Sequence, residues 1–173
     1  LKPSVVFYND ASHLPKELIP QRSRLSSFMG GEKKMIIMSV DLGKARTGIA
    51  ASDESESFAF PKTVIKEYNA KRLTDKISAL ALEYGAGLIV VGHPKNMDGS
   101  AGSRALECAA AADDIKKKSG IETVLWDERC TTVSAHTALN FTDTRGKKRK
   151  QVIDAVAAVI ILEDYLAYRK NRA

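Results

Sequence analysis

The chain has 173 residues, 44% of them apolar, which fits one ordinary folded domain and excludes wholesale disorder. Lysine and arginine outnumber aspartate and glutamate by 27 to 21, a formal charge of +6 that suits a nucleic-acid partner without specifying one. No apolar run approaches a membrane span, no signal-peptide core opens the chain, and Cys108 and Cys130 lack disulfide-framework or metal-ligand spacing. The expectation is therefore a cytoplasmic protein with reduced thiols and no membrane partner.

Residues 1–34 carry Pro3, Pro15 and Pro20 and one short apolar run, Val5-Val6-Phe7. They read as an N-terminal extension with little regular structure, ahead of a domain spanning 35–173. That domain opens with Met35-Ile36-Ile37-Met38-Ser39-Val40, the pattern of a strand buried on both faces, and the run ends on Asp41. Gly43 to Gly48 turn the chain, and Ile49-Ala50-Ala51 resume it as a second strand. A carboxylate at the tip of a buried strand needs compensation. It is either a turn-forming Asp bonded to its own backbone or part of a metal or phosphate site.

Lys62 to Lys66 suits a third strand. Asn69 then suits a helix N-cap, Leu73, Ile77, Leu80 and Tyr84 share one helical face, and Gly85 supplies the stop. Leu88-Ile89-Val90-Val91 is a second buried strand that ends in Gly92-His93-Pro94, and 96–102 is a turn-rich loop. A helix to about Lys118 turns Ala105, Cys108, Ala112 and Ile115 inward, and Ser119-Gly120 ends it. Thr123 to Trp126 is a third buried strand, stopping at Asp127-Glu128-Arg129. Thr131 or Thr132 caps a short helix through Leu139; Thr142 to Lys150 is polar, breaker-containing and basic, with Arg145, Lys147, Lys148, Arg149 and Lys150 forming a mobile basic strap; the last helix runs from about Gln151 to Tyr168. This alternation predicts an α/β domain with a mixed five-stranded sheet flanked by helices. The first three strands are antiparallel, and those at Leu88 and Thr123 run parallel to the first. In such sheets sites form at the C-terminal ends of parallel strands, which collects Asp41, the His93 loop and Glu128 on one edge.

Two further acids bear on Asp41. Asp154 is the only charge between Val152 and Leu162, in the first turn of a mostly apolar helix. It either complements the positive helix N-terminus or is a buried carboxylate compensated by a cation. Glu128 follows a buried strand, as Asp41 does, and is either a solvated acid beside Arg129 or a ligand. Together the three are hard oxygen donors at the margins of three buried elements, the way Mg²⁺ or Mn²⁺ is held. Without cations they would repel one another.

Asp41-Leu42-Gly43 with Arg46 and Gly48, then Gly92 to Ser100, then Trp126-Asp127-Glu128-Arg129 with Thr131-Thr132, then Ile153 to Ala158 and Asp164-Tyr165-Leu166 resemble the YqgF/RuvX family, in that family's order, over roughly Met35 to Tyr168. The resemblance implies a ribonuclease H-like fold related to the RuvC resolvases. It implies a nuclease that matures the 5′ end of the small-subunit ribosomal RNA precursor or, alternatively, resolves four-way DNA junctions. It makes Asp41, Glu128 and Asp154 the catalytic ligands of Mg²⁺ or Mn²⁺, with nucleic acid and ribosomal particles as partners and a monomer or homodimer as the working form. Arg46 and Arg129 are candidates for phosphate contacts by paired hydrogen bonds, with Lys95 and Asn96 in the loop after the second buried strand. Lys147, Lys148 and Lys150 belong to a basic strap beside Asp154. No aromatic interrupts that strap, which favours backbone and shape readout over base reading.

Two other classes compete. Strand–Asp-x-Gly–turn–strand units also serve ATP binding in sugar kinases, Hsp70 and actin, but those need a second copy of the fold. A catalytically silent nucleic-acid-binding module would not need all three acids.

Overall fold

The computed structural model describes residues 6–7, 34–95, 100–127 and 147–172, and for 6–7 and 147–154 the backbone path alone. Seven apolar-rich residues, Ile36–Leu42, form strand β2 at the centre of the sheet, after a two-residue β1, Val6–Phe7. β3 is Thr47–Ser52, β4 Ala59–Ile65, β5 Ala86–His93 and β6 Glu122–Asp127. The helices are α1, Ala70–Glu83, α2, Ser103–Ser119, and α3, Lys147–Lys170.

The strands form one sheet in the order β1-β6-β5-β2-β3-β4. β2, β3 and β4 are antiparallel neighbours, while β5 runs parallel to β2 and β6 parallel to β5. These are the five strands and directions expected from the sequence. Val6–Phe7 adds a sixth, lying parallel along β6 with Val6 opposite Val124.

Side chains on a strand alternate between faces, and each face here meets its own helices. Met38 and Val40 of β2, Ile89 and Val91 of β5 and Leu125 of β6 pack with Ile77 and Ala81 of α1 and Ala112 and Ile115 of α2. Ile37, Leu88, Val90, Val124 and Trp126 point the other way, onto Ala158, Ile161, Leu162, Tyr165 and Leu166 of α3. The result is three layers, helix–sheet–helix, with β2 and β5 buried on both sides.

Local signals explain the element ends. The Asn69 side chain accepts a hydrogen bond from the Arg72 backbone N–H, capping α1. Gly120 ends α2 at φ 69°, a left-handed conformation that disfavours a Cβ. The expected inward residues Ala105, Cys108, Ala112 and Ile115 are all buried.

Two boundaries differ from expectation by three residues or more. β4 starts at Ala59 rather than Lys62, because an edge strand tolerates Pro61, and the ladder shifts register beside it. α3 starts at Lys147 rather than Gln151, so Lys147, Lys148, Arg149 and Lys150 stand in a helix rather than a strap, and Asp154 falls in the second turn of that helix rather than the first. Lysine and arginine are good helix formers, so a basic run need not interrupt a helix. The expected Thr131–Leu139 helix lies outside the described residues.

Candidate active site

β2 ends as an acid meets the turn. Asp41 is partly buried and lies opposite Gly48 in the β2–β3 ladder. The turn needs glycine at position 43: a Cβ there would stand 2.1 Å from the Arg46 carbonyl oxygen, closer than any side chain tolerates. Arg46, also partly buried, closes the same turn.

Asp41 shares a strand face with Ile37 and Ser39, the face covered by α3. The Ser39 hydroxyl, fully buried, donates to the Ala158 carbonyl at 2.7 Å. At the other end of α3, Arg169 Nε bonds Glu56 Oε2 at 3.0 Å, and Glu56 Oε1 accepts from the Met35 backbone N–H at 3.1 Å. α3 therefore runs antiparallel to β2, its C-terminal end beside the start of the strand. The position of Asp154, one turn before Ala158, is displaced toward the strand end that carries Asp41. A helical turn advances about 5.4 Å and two strand residues about 6.6 Å, so both acids step off the Ser39–Ala158 bond by a similar length in the same direction.

The ends of β5 and β6 meet the same edge. His93 lies opposite Asp127 in the ladder, and both are buried, at 2% and 3% exposure. The Lys95 ammonium, just past β5, is 3.4 Å from Asp127 Oδ2. Burial holds the His93 imidazole below its ordinary pKa, the Lys95 charge adds to that, and the Asp127 carboxylate opposes it. Alternation sets His93 with Ile89 and Val91, and Asp127 with Leu125, on the face covered by α1 and α2. Trp126 takes the α3 face, where its indole N–H donates to Asp164 at 2.7 Å and its ring meets Tyr165 edge-on with centroids 5.1 Å apart.

Of the residues expected to act, Asp41 and Arg46 lie at the β2–β3 turn and Lys95 lies just past the end of β5, at the same edge of the sheet but with Lys95 bonded on the other face. Asp154, Lys147, Lys148 and Lys150 occupy the first two turns of α3. Glu128, Asn96 and Arg129 lie outside the described residues, Glu128 directly after the end of β6. Among the described residues no cluster of three His, Cys, Asp or Glu side chains is arranged to hold a metal ion. Asp41, Glu128 and Asp154 nevertheless offer only carboxylate oxygens, a donor set that suits Mg²⁺ or Mn²⁺ over softer metals. Sequence reasoning passed over Asp127. The signal was available: two consecutive acids at the end of a buried strand must face opposite sides of the sheet if the strand's alternation continues.

The model of the family described as "RuvX: Holliday junction resolvase" matches residues 35–168. A protein of Thermoanaerobacter pseudethanolicus, named "Putative pre-16S rRNA nuclease", is 40% identical over 139 residues, covering 80% of this chain and 100% of its own. A Bacillus cytotoxicus protein of the same name is 40% identical over 134 residues, covering 76% of this chain and 98% of its own. Among solved structures, Thermus thermophilus RuvC in complex with a Holliday junction substrate superposes with a TM-score of 0.54 at 11% identity, over 78% of this chain and 96% of that one. That likeness establishes the ribonuclease H-like fold.

Proposed function

The chain belongs to the RuvX family, a family of hydrolases acting on nucleic acid, and from that premise we propose that it is a divalent-metal-dependent endonuclease maturing the 5′ end of the small-subunit ribosomal RNA precursor. The observation that carries the reading is the Ser39–Ala158 hydrogen bond, which registers α3 against the face of β2 that ends in Asp41. The RNA substrate follows the relatives at 40% identity, whose shared name is a pre-16S ribosomal RNA nuclease. Four-way DNA is the second reading, favoured by the description of the family model.

Asp41, Glu128 and Asp154 would hold the metal, which when bound supplies an activated water and charge stabilisation at the leaving oxygen. The chain's own groups do the rest. Three carboxylates gathered at one edge would repel one another and raise each other's pKa, a conflict that a bound divalent cation would relieve. Arg46, Arg129, Lys95 and Asn96 engage non-scissile phosphates and fix the backbone. Lys147, Lys148 and Lys150 start α3, where four basic residues in succession oppose the helix dipole. A phosphate at that end relieves the conflict and gains the helix N-terminus as well. The substrate implies a cytoplasmic enzyme that meets ribosomal precursor particles.

The test is cleavage of a precursor RNA spanning the mature 5′ end and of a four-way DNA junction, in parallel, with Mg²⁺, Mn²⁺ or chelator. Metal-dependent cleavage of the RNA is expected. Cleavage of the junction alone would reverse the substrate, and equal cleavage in chelator would remove the metal.

A further inference from the structure

We propose that Asp127 is a positioning residue for substrate binding: its buried carboxylate fixes the Lys95 ammonium at the active edge of the sheet, on the face opposite Asp41. The inference rests on the nuclease reading above and assigns Asp127 a duty separate from metal binding.

The argument begins with burial. A carboxylate at 3% exposure is costly unless a cation answers it, and the Lys95 Nζ lies 3.4 Å away. The pair spans the two strand ends at which His93 and Asp127 are ladder partners, so it ties the chain leaving β5 to the last residue of β6. Burial and the Lys95 charge lower the His93 pKa, which disfavours a second positive charge beside the carboxylate. Lys95 is only partly buried, and an ammonium has three donors, so a bond to Asp127 is compatible with a phosphate contact. A flexible four-carbon side chain gives up rotamer freedom on binding; one held in place beforehand gives up less.

The strand faces separate this duty from that of Asp41. Asp127 follows the face of Leu125, against α1 and α2, whereas Asp41 follows the face of Ser39, against α3. Asp127 adjoins a proposed ligand in sequence and turns away from the proposed metal.

The experiment is a double-mutant cycle on Asp127→Asn and Lys95→Met in the full chain. Affinity for the precursor RNA and the four-way junction is measured by fluorescence anisotropy in chelator, KM and kcat in Mg²⁺, and the Mg²⁺-induced shift in melting temperature alongside. Each single variant should weaken binding and raise KM by several-fold to about tenfold, with kcat nearly unchanged, the effect of removing one charge-assisted hydrogen bond to a phosphate. The double variant should be no worse than the worse single, Lys95→Arg should bind nearly as the parent does, and the Mg²⁺-induced shift should persist throughout. Additive losses would overturn the proposal. So would loss of the Mg²⁺ shift in Asp127→Asn, which would make Asp127 a metal ligand. Lys95→Met, altering a partly exposed side chain, keeps the test readable if Asp127→Asn folds poorly, since unchanged binding in Lys95→Met alone overturns the proposal. A parent chain that binds both probes and cleaves neither defeats the nuclease reading and leaves the cycle to decide on affinity. A parent that binds neither defeats both.

Discussion

The hydroxyl of Ser39 and the carbonyl of Ala158 are 2.7 Å apart in the buried seam between β2 and α3, joining residues distant in sequence. Through that bond the central strand sets the register of the helix that carries Asp154. Ser39→Ala should lower stability by about 0.5–1.5 kcal/mol, the usual net worth of one buried hydrogen bond. It should also reduce the Mg²⁺-induced rise in melting temperature. Melting curves with and without Mg²⁺ check both, and an undiminished metal shift would dissociate this bond from the site.

Trp126 of β6 and Asp164 make another polar link between the sheet and α3. Burial raises the Asp164 pKa, and the Trp126 N–H, which prefers the carboxylate, partly offsets this. With the folded-state value above the unfolded one, the folded state binds the proton more readily. The group's contribution is thus fullest at pH below about 3.8 and is lost as pH rises through the raised value. Asp164→Asn keeps an acceptor for the indole and discards the charge, so it should be no less stable than the parent at pH 7. Asp164→Leu, which leaves the indole N–H without its acceptor, should cost about 1–3 kcal/mol. Chemical denaturation at pH 4 and pH 7 measures both.

Asp53 behaves in the opposite sense. It accepts hydrogen bonds from the Ser55 hydroxyl and from the backbone N–H groups of Ser57 and Phe58, which close the β3–β4 turn. The Ser55 bond foremost, with the backbone donors, holds its pKa at about 2. A depressed folded-state value means stability present above the ordinary value near 3.8 and lost as pH falls toward about 2. The stability difference between the parent and Asp53→Ala should therefore narrow over that window and stay constant above it, as acid titrations followed by circular dichroism will show.

The start of α3 predicts salt dependence. Neutralising Lys147, Lys148 and Lys150 should flatten the plot of log affinity against log salt by at most about 0.7 to 0.9 for each phosphate that the chain then leaves unneutralised. An unchanged slope would leave these lysines as solvent-facing residues with no part in binding.

The sequence was most legible where chemistry is local. The apolar run from Ile36 broken by Asp41, the Asn69 cap and the small-residue face from Ala105 to Ile115 each specify their element without distant help. The start of α3 was less legible: Lys147 to Lys150 match a solvated loop and a helical turn equally well, and the apolar pattern that marks the helix begins only after them. Val6–Phe7 is shorter than any strand that periodicity can reveal, and its place beside β6 depends on an edge built more than a hundred residues later. Asp127 was obscured by its neighbour Glu128, because a motif treats adjacent acids as one site, whereas the pleat puts Asp127 on the face of Leu125, away from Asp41.

The most direct test of the central claim is the Mg²⁺-dependent melting of Asp154→Asn beside its cleavage rate. The substitution keeps the shape of the side chain and removes its charge. If Asp154 is a metal ligand, the metal-free fold should be no less stable, since a source of carboxylate repulsion is gone. The Mg²⁺-induced stabilisation should shrink, and cleavage should fall by orders of magnitude. If Asp154 has no part in metal binding, the metal shift and the cleavage rate should both hold, and because α3 begins seven residues before it no helix-dipole contribution to stability is expected to be lost. That second result would contradict the account.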